Sequence, residues 1–263
     1  MSTNPVNPYA APKSAVADEP APQGEYIPGG QGVPASNGWN WIAEGWTLFK
    51  ASPGLWIGII VVFIVIFFAA TMVPFVGPIA QNLLMPVFMG GIVAGCQAID
   101  AGGKLEFNHL FEGFRTTFGT LVAVGALYLA GFVAILLVVM LITGAGVFAL
   151  FMAGGGQQPD LAQGGAALGI LLAMLIVFAL MIPLVMAVWF AAPLVMFHNL
   201  GAVEAMKASF TGCLRNIVPF LVYGVVGLVL SILATIPLGL GWLVLGPVFA
   251  ASVYTGYRDI YLR

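Results

Sequence analysis

Apolar residues in this chain come in long blocks rather than in alternation with polar ones. Residues 54–73 are almost continuously apolar, and 57–68 hold eleven Ile, Val and Phe side chains interrupted only by Gly58. A short uncharged turn at 74–78 leads into a second block ending near Ile99; others follow at 117–151, 166–197, 218–236 and 242–257. An α-helix rises 1.5 Å per residue, so about 20 apolar residues cross a 30 Å hydrocarbon core. The blocks therefore predict an all-α, polytopic membrane helix bundle of about six transmembrane helices. At about −0.4 kcal/mol per central apolar residue, the first block alone favours insertion by roughly 4–5 kcal/mol. The blocks at 117–151 and 166–197 exceed one span and predict tilted or protruding helices. Between them, Gly154-Gly155-Gly156 and the Gln-rich sequence after it read as a flexible external loop.

Ahead of the odd-numbered spans the pattern changes to a helical stripe. Trp39, Ile42, Trp46 and Phe49 form one, with Ser36 or Asn37 placed to cap that helix. Phe107, Leu110, Phe111, Phe114 and Phe118 form another, with Glu106, His109 and Glu112 expected to face away. Val203, Met206, Phe210, Cys213 and Leu214 make a third, opposed by Glu204, Lys207 and Arg215. Such segments are too short to span and too apolar on one side to stay in water, so they are expected to lie in the membrane interface. Trp46, Phe107, Phe111, Glu112, Phe114, Lys207 and Phe210 are the candidate interface residues.

The same unit recurs along the chain. Pro86-Val87-Phe88 returns as Pro247-Val248-Phe249, each proline followed nine residues later by a glycine, Gly95 or Gly256. Gly91 with Gly95, and Ser252 with Gly256, stand one helical turn apart, and small residues at that spacing let helix backbones approach. Pro193-Leu194-Val195 holds a comparable place, with His198 where the others have Gly91 and Ser252. Glu44-Gly45-Trp46 aligns with Glu112-Gly113-Phe114 and, loosely, with Ala208-Ser209-Phe210. The reading is an interfacial helix followed by a membrane hairpin, used three times in one orientation.

Composition supports this picture. Apolar residues make up 61% of the 263 and charged ones 7%, too few for the charged shell of a water-soluble domain. The eight basic residues are Lys13, Lys50, Lys104, Arg115, Lys207, Arg215, Arg258 and Arg263. With six spans all of them fall on one face, whereas the opposite face carries only Asp160. The positive-inside rule then puts both termini in the cytoplasm. Residues 1–38 contain seven prolines and little that could form a core, which predicts a disordered cytoplasmic tail before a transmembrane domain at 39–263. The tail lacks a signal-peptide pattern, so the first span is expected to direct insertion.

Little in the chain suggests chemistry. Cys96 and Cys213 follow no metal or redox spacing and read as small apolar residues. Glu106, His109, Glu112, His198 and Glu204 could be assembled into a carboxylate–histidine metal site, but the wet side of an amphipathic helix already accounts for them. No catalytic triad, phosphate loop or zinc motif is present, so an enzyme, a metal and a cofactor are not expected. A net charge of −2 without a basic patch argues against nucleic acid. No Asp, Glu, Lys or Arg sits at mid-depth in a span, which argues against an ion-coupled carrier.

Gly45-Trp46 together with Pro53-Gly54-Leu55-Trp56, the sequence Gly95-Cys96-Gln97-Ala98-Ile99-Asp100, residues 107–114, and Tyr257-Arg258-Asp259-Ile260 resemble a family of bacterial inner-membrane proteins known as hypothetical transmembrane proteins. More distantly the layout is similar to YciC-like proteins and to the membrane domain attached to some glycerophosphodiester phosphodiesterases, over about residues 39–260. Asn7-Pro8-Tyr9-Ala10-Ala11-Pro12 also looks like an N-terminal motif of several unrelated bacterial membrane proteins. The resemblance implies an inner-membrane location. It transfers no hydrolase activity, because the catalytic barrel is missing. The expected role is non-enzymatic: membrane organisation, lipid environment or partner assembly, with membrane lipids and a protein at the cytoplasmic face or tail as partners. The alternative is a passive transporter or channel for a lipid or small neutral solute.

Overall fold

The computed structural model describes residues 24–152 and 159–263. The expectations for residues 1–23, including the proline-rich motif, and for the glycine-rich turn at 153–158 lie outside the described residues. Helix α1 (Asn37–Ala51) precedes the hairpin of α2 (Pro53–Thr71) and α3 (Val76–Asp100). A 3-10 helix (Phe107–Phe111) and the single turn α4 (Glu112–Arg115) lead to α5 (Phe118–Met152) and α6 (Pro159–Trp189), which α7 (Ala191–His198) continues after a break. Helix α8 (Ala202–Arg215) precedes α9 (Ile217–Thr235) and α10 (Trp242–Tyr261). Among the described residues no named strand occurs, only an antiparallel bridge between Tyr26 and Leu262.

Local chemistry sets several boundaries. Pro53 opens α2, where its missing N–H costs nothing. The hairpin turn at 74–78 holds Phe75 at φ 63°, and the turn at 237–241 holds Leu238 and Gly239 at φ 55° and 81°. Helix α6 begins at Pro159, earlier than the expected 166. Helix α5, 35 residues long, extends about 52 Å and outreaches the hydrocarbon, as its block length predicts.

Five helical stretches are long and apolar enough to cross a membrane among the described residues: Pro53–Thr71, Val76–Asp100, Phe118–Leu141, Leu171–His198 and Ile217–Thr235. Their outward residues are greasy. Ile64, Val65 and Phe68 on α2, Leu137 and Met140 on α5, and Val225, Leu228 and Ile232 on α9 are exposed. Hydrocarbon tolerates such a surface; water does not. The remaining long helix, α10, is not in that apolar set, and its surroundings explain why. Pro247, Val248, Ala251, Ser252, Tyr254, Thr255, Gly256 and Tyr257 are buried in the protein itself, so hydroxyls can replace hydrocarbon there.

The core is densest at one end of the bundle, where Trp41, Trp56, Leu110, Phe190, Leu194, Tyr254, Tyr257 and Tyr261 are buried. The expectation of a tail through residue 38 needs revision from Gly24 onward, because residues 24–33 form an ordered strap across the C-terminus. The amides of Ile27 and Gln31 donate to the carbonyls of Tyr261 and Ile260, both at 2.8 Å. Buried Asn216 holds the strap from below: its Nδ2 donates to the Gln31 carbonyl and its Oδ1 accepts from the Val33 amide, each at 2.8 Å.

Candidate functional site

Packing of α1 on α10, of the 3-10 turn and α4 on α3, and of α8 on the α6–α7 break builds the closed end of the molecule. A methyl group at Gly45 would stand 2.7 Å from the Val248 carbonyl oxygen and 3.1 Å from the Ser252 amide nitrogen, so α1 meets α10 backbone to backbone. A methyl at Gly113 would collide with the Val87 carbonyl. Val87 and Val248 are the middle residues of the two Pro-Val-Phe motifs. On α8 the corresponding contact is polar. Ser209 Oγ donates to the Met186 carbonyl (2.7 Å) and accepts from the Phe190 amide (2.9 Å) where α6 gives way to α7.

The small-residue pairs receive these elements. Gly91 lies under the His109 and Leu110 carbonyls, with a Cβ position 2.5 Å from the latter, and Gly95 lies under Leu105 and His109. Ser252 accommodates Gly45 and bonds the Tyr223 hydroxyl (2.8 Å), while the rings of Phe190 and Trp41 lie 3.4 Å from a Cβ position on Gly256. The pairs therefore seat the 3-10 turn, α1 and aromatic rings.

A polar clasp joins the same end. Arg258 on α10 pairs with Glu44 on α1 (2.7 Å) and with Asp100 at the end of α3, and Asp100 also accepts from the Tyr254 hydroxyl at 3.0 Å. Asp259 accepts from Trp41 Nε1 and Asn37 Nδ2, both at 2.8 Å. The capping expectation holds only in position: Ser36 is the N-cap residue of α1 but makes no side-chain cap hydrogen bond, and Asn37 is drawn to a tertiary partner. His198 Nε2 lies 2.5 Å from the Tyr257 hydroxyl, and the Tyr26 ring of the strap stacks on the imidazole at 4.0 Å.

The predicted stripes are only partly kept. Trp39 and Trp46 are exposed, whereas Ile42 and Phe49 turn inward beside Trp41, which lay outside the predicted stripe. Phe107, Phe111 and Phe118 are exposed, and Phe114 packs on Phe88 with ring centroids 5.1 Å apart. Glu112, expected on the wet side, is buried to 9% exposure and pairs with Arg115 at 3.4 Å. The 3-10 turn causes this: it advances about 120° per residue rather than 100°, so the stripe rotates before Glu112 is reached. Glu106 and His109 form a reciprocal capping box at the start of that turn, with the Glu106 amide donating to His109 Nδ1 at 2.9 Å. Among the described residues no three His, Cys, Asp or Glu side chains converge on one point. Phe210 is half-buried and Lys207 exposed on α8. Buried Cys213 has its thiol pushed up to about 12, chiefly by desolvation, which leaves it protonated and poorly nucleophilic.

Beside the closed end is a lateral groove of about 600 Å³ between α2, α3, α9 and α10, with Trp189 of α6 also contributing. Phe63, Met89, Ile92 and Phe249 supply much of its wall. Ile64, Met85, Gly224 and Trp242 along its edges are exposed, so the groove opens sideways from the bundle. No charged side chain lines it. The volume is that of a small-ligand site, and the lining is that of hydrocarbon.

No protein-family model matches the chain, and no solved structure matches it. It is 28% identical over 207 residues to a protein of Burkholderia thailandensis named "Probable inner membrane protein", covering 76% of this chain and 75% of that one. The similarity supports the inner-membrane part of the resemblance, without the YciC-like or phosphodiesterase-domain likeness. Together with five apolar helices of spanning length, it supports a multi-pass, all-helical protein of the inner membrane.

Proposed function

We propose that this protein is a non-enzymatic organiser of its lipid surroundings that holds a lipid acyl chain in the lateral groove between α2, α3, α9 and α10. The observation that carries this reading is the groove itself: about 600 Å³, open sideways, and free of charged lining at a depth set by the apolar helices. At that depth the ligands at hand are hydrocarbon chains, and an apolar slot offers them contacts without a desolvation cost.

In this reading α10 is the sixth span, carried into the membrane against its neighbours rather than by its own hydropathy. Both termini are cytoplasmic by the distribution of basic residues. The interfacial elements act as three copies of one unit. The contacts of Gly45 with Val248, of Gly113 with Val87, and of Ser209 with the α6–α7 break support this reading, in which the three copies surround an axis along the membrane normal. The closed end, with its strap, is the face offered to a cytoplasmic protein.

The test is lipid retention by the full chain purified in detergent. Gly224 and Gly246 line the groove and have nothing within 4 Å of a Cβ position, so Gly224→Leu and Gly246→Leu can begin a side chain there without a clash and should fill the groove. Mass spectrometry of copurified lipid should show fewer lipids per chain in both variants than in the wild type. Equal retention would sink the reading. A passive path for lipid is the second reading, favoured by the sideways opening, and predicts dye-labelled lipid scrambling in proteoliposomes that Gly246→Leu slows.

A further inference from the structure

Helix α8 sorts its residues into three sectors at helical spacing. Ala205, Ser209, Gly212 and Cys213 are buried against the bundle. Glu204, Thr211 and Arg215 form a polar sector. Between them Val203, Met206, Phe210 and Leu214 form an apolar sector, of which Val203 and Leu214 are more than half exposed. Lys207 stands where the apolar sector meets the polar one.

Beside Lys207 is a second cavity, of about 560 Å³, between α5, α6 and α8. Leu127, Ala187, Met206 and Phe210 make its apolar wall, and Lys207 is the charged residue on its lining, with Thr211 next to it. Among the described residues no carboxylate lies within ion-pair distance of the Lys207 ammonium, whereas Arg115 and Arg258 are paired with carboxylates and Arg215 donates to the Gly30 carbonyl. The Thr211 hydroxyl donates to the Lys207 carbonyl within the helix at 2.9 Å.

We infer that this cavity is a site for an anionic phospholipid, its acyl chain along the Leu127–Phe210 wall and its phosphate against Lys207. An apolar slot ending at an unpaired ammonium matches a molecule whose hydrocarbon ends in a negative charge. A lysine stem lying along apolar surface brings its ammonium to headgroup level. A zwitterionic lipid carries its own cation beside the phosphate, so it gains less from Lys207. The site differs from the lateral groove in its helices and in its determinant, which is charge rather than shape alone.

The full chain in detergent is titrated with phosphatidylglycerol and with phosphatidylcholine of the same acyl chains, and bound lipid is counted by native mass spectrometry. The wild type should prefer phosphatidylglycerol by about fivefold, the factor expected from one lysine near an anionic headgroup. Lys207→Gln should abolish the preference while phosphatidylcholine binding persists, and Met206→Trp, which fills the wall, should weaken both lipids. Lys50→Gln on α1 should leave the preference intact. Gly246→Leu should do so too, and therefore separates this site from the lateral groove. Unchanged thermal unfolding of Lys207→Gln shows that the fold is kept. Equal binding of the two lipids, a preference that survives Lys207→Gln, or an equal loss in Lys50→Gln would each overturn the inference. So would a change in the number of chains per complex with no change in bound lipid, which would mark the cavity as a contact between copies.

Discussion

The Cβ position of Gly45 stands 2.7 Å from the carbonyl oxygen of Val248, so α1 rests on α10 with no room for a side chain between them. Gly113 stands in the same relation to the carbonyl of Val87. Backbone cannot retreat as a side chain can, and overpacking typically costs about 1–3 kcal/mol. Gly45→Ala and Gly113→Ala should each lower the unfolding temperature in detergent. Gly58→Ala on α2, which meets nothing within 4 Å, should change it little. Wild-type stability in both test variants would refute the backbone docking.

Asn216 is the buried anchor of the strap. Replacing it with leucine strands the Val33 amide and the Gln31 and Gly212 carbonyls. A buried polar group without a partner costs about 1–3 kcal/mol. Asn216→Leu should release residues 24–33, and chymotrypsin should then cut after Tyr26 faster than in the wild type. Equal cleavage rates would show that the strap is held elsewhere.

Arg258 is flanked by Glu44 and Asp100, with side chains 34%, 49% and 31% exposed respectively. At such exposure water and salt screen the pairs, so each contributes about 0.2–1 kcal/mol. A double-mutant cycle of Arg258→Gln with Glu44→Gln should return a coupling in that range, reduced at 1 M salt. A coupling several times larger would mean that the clasp, rather than the glycine contacts, holds α1 on α10.

Proposed orientation is tested with reporters. Alkaline phosphatase fused at Gln157 should be active, whereas fusion after Arg263 should be inactive, because the enzyme folds only outside the cytoplasm. An active C-terminal fusion would reverse the topology or remove one span.

Some of the site was legible in the chain. Gly45, Gly113, Val87 and Val248 all fall in the repeated motifs, and the spacing of Gly91 with Gly95 and of Ser252 with Gly256 signalled close approach. What approaches was not legible: the partner of Gly91 is a 3-10 turn, and that of Gly256 is a pair of rings. Trp41 and Tyr26 escaped notice because nothing local marks them; their partners, Asp259 and His198, are distant in sequence. Glu112 was misplaced because periodicity assumes one helical pitch, and the chain changes pitch ahead of it.

By itself the sequence determined that hydrocarbon is the solvent and where the long apolar helices run. These follow from transfer free energies that each residue carries wherever it goes, so a simple sum along the chain recovers them. Only the tertiary structure decided that α10 is wrapped by protein, that residues 24–33 fold back over the C-terminus, and that two cavities open between particular helices. Those outcomes depend on which distant residues meet, and contact between distant residues is not additive along a chain.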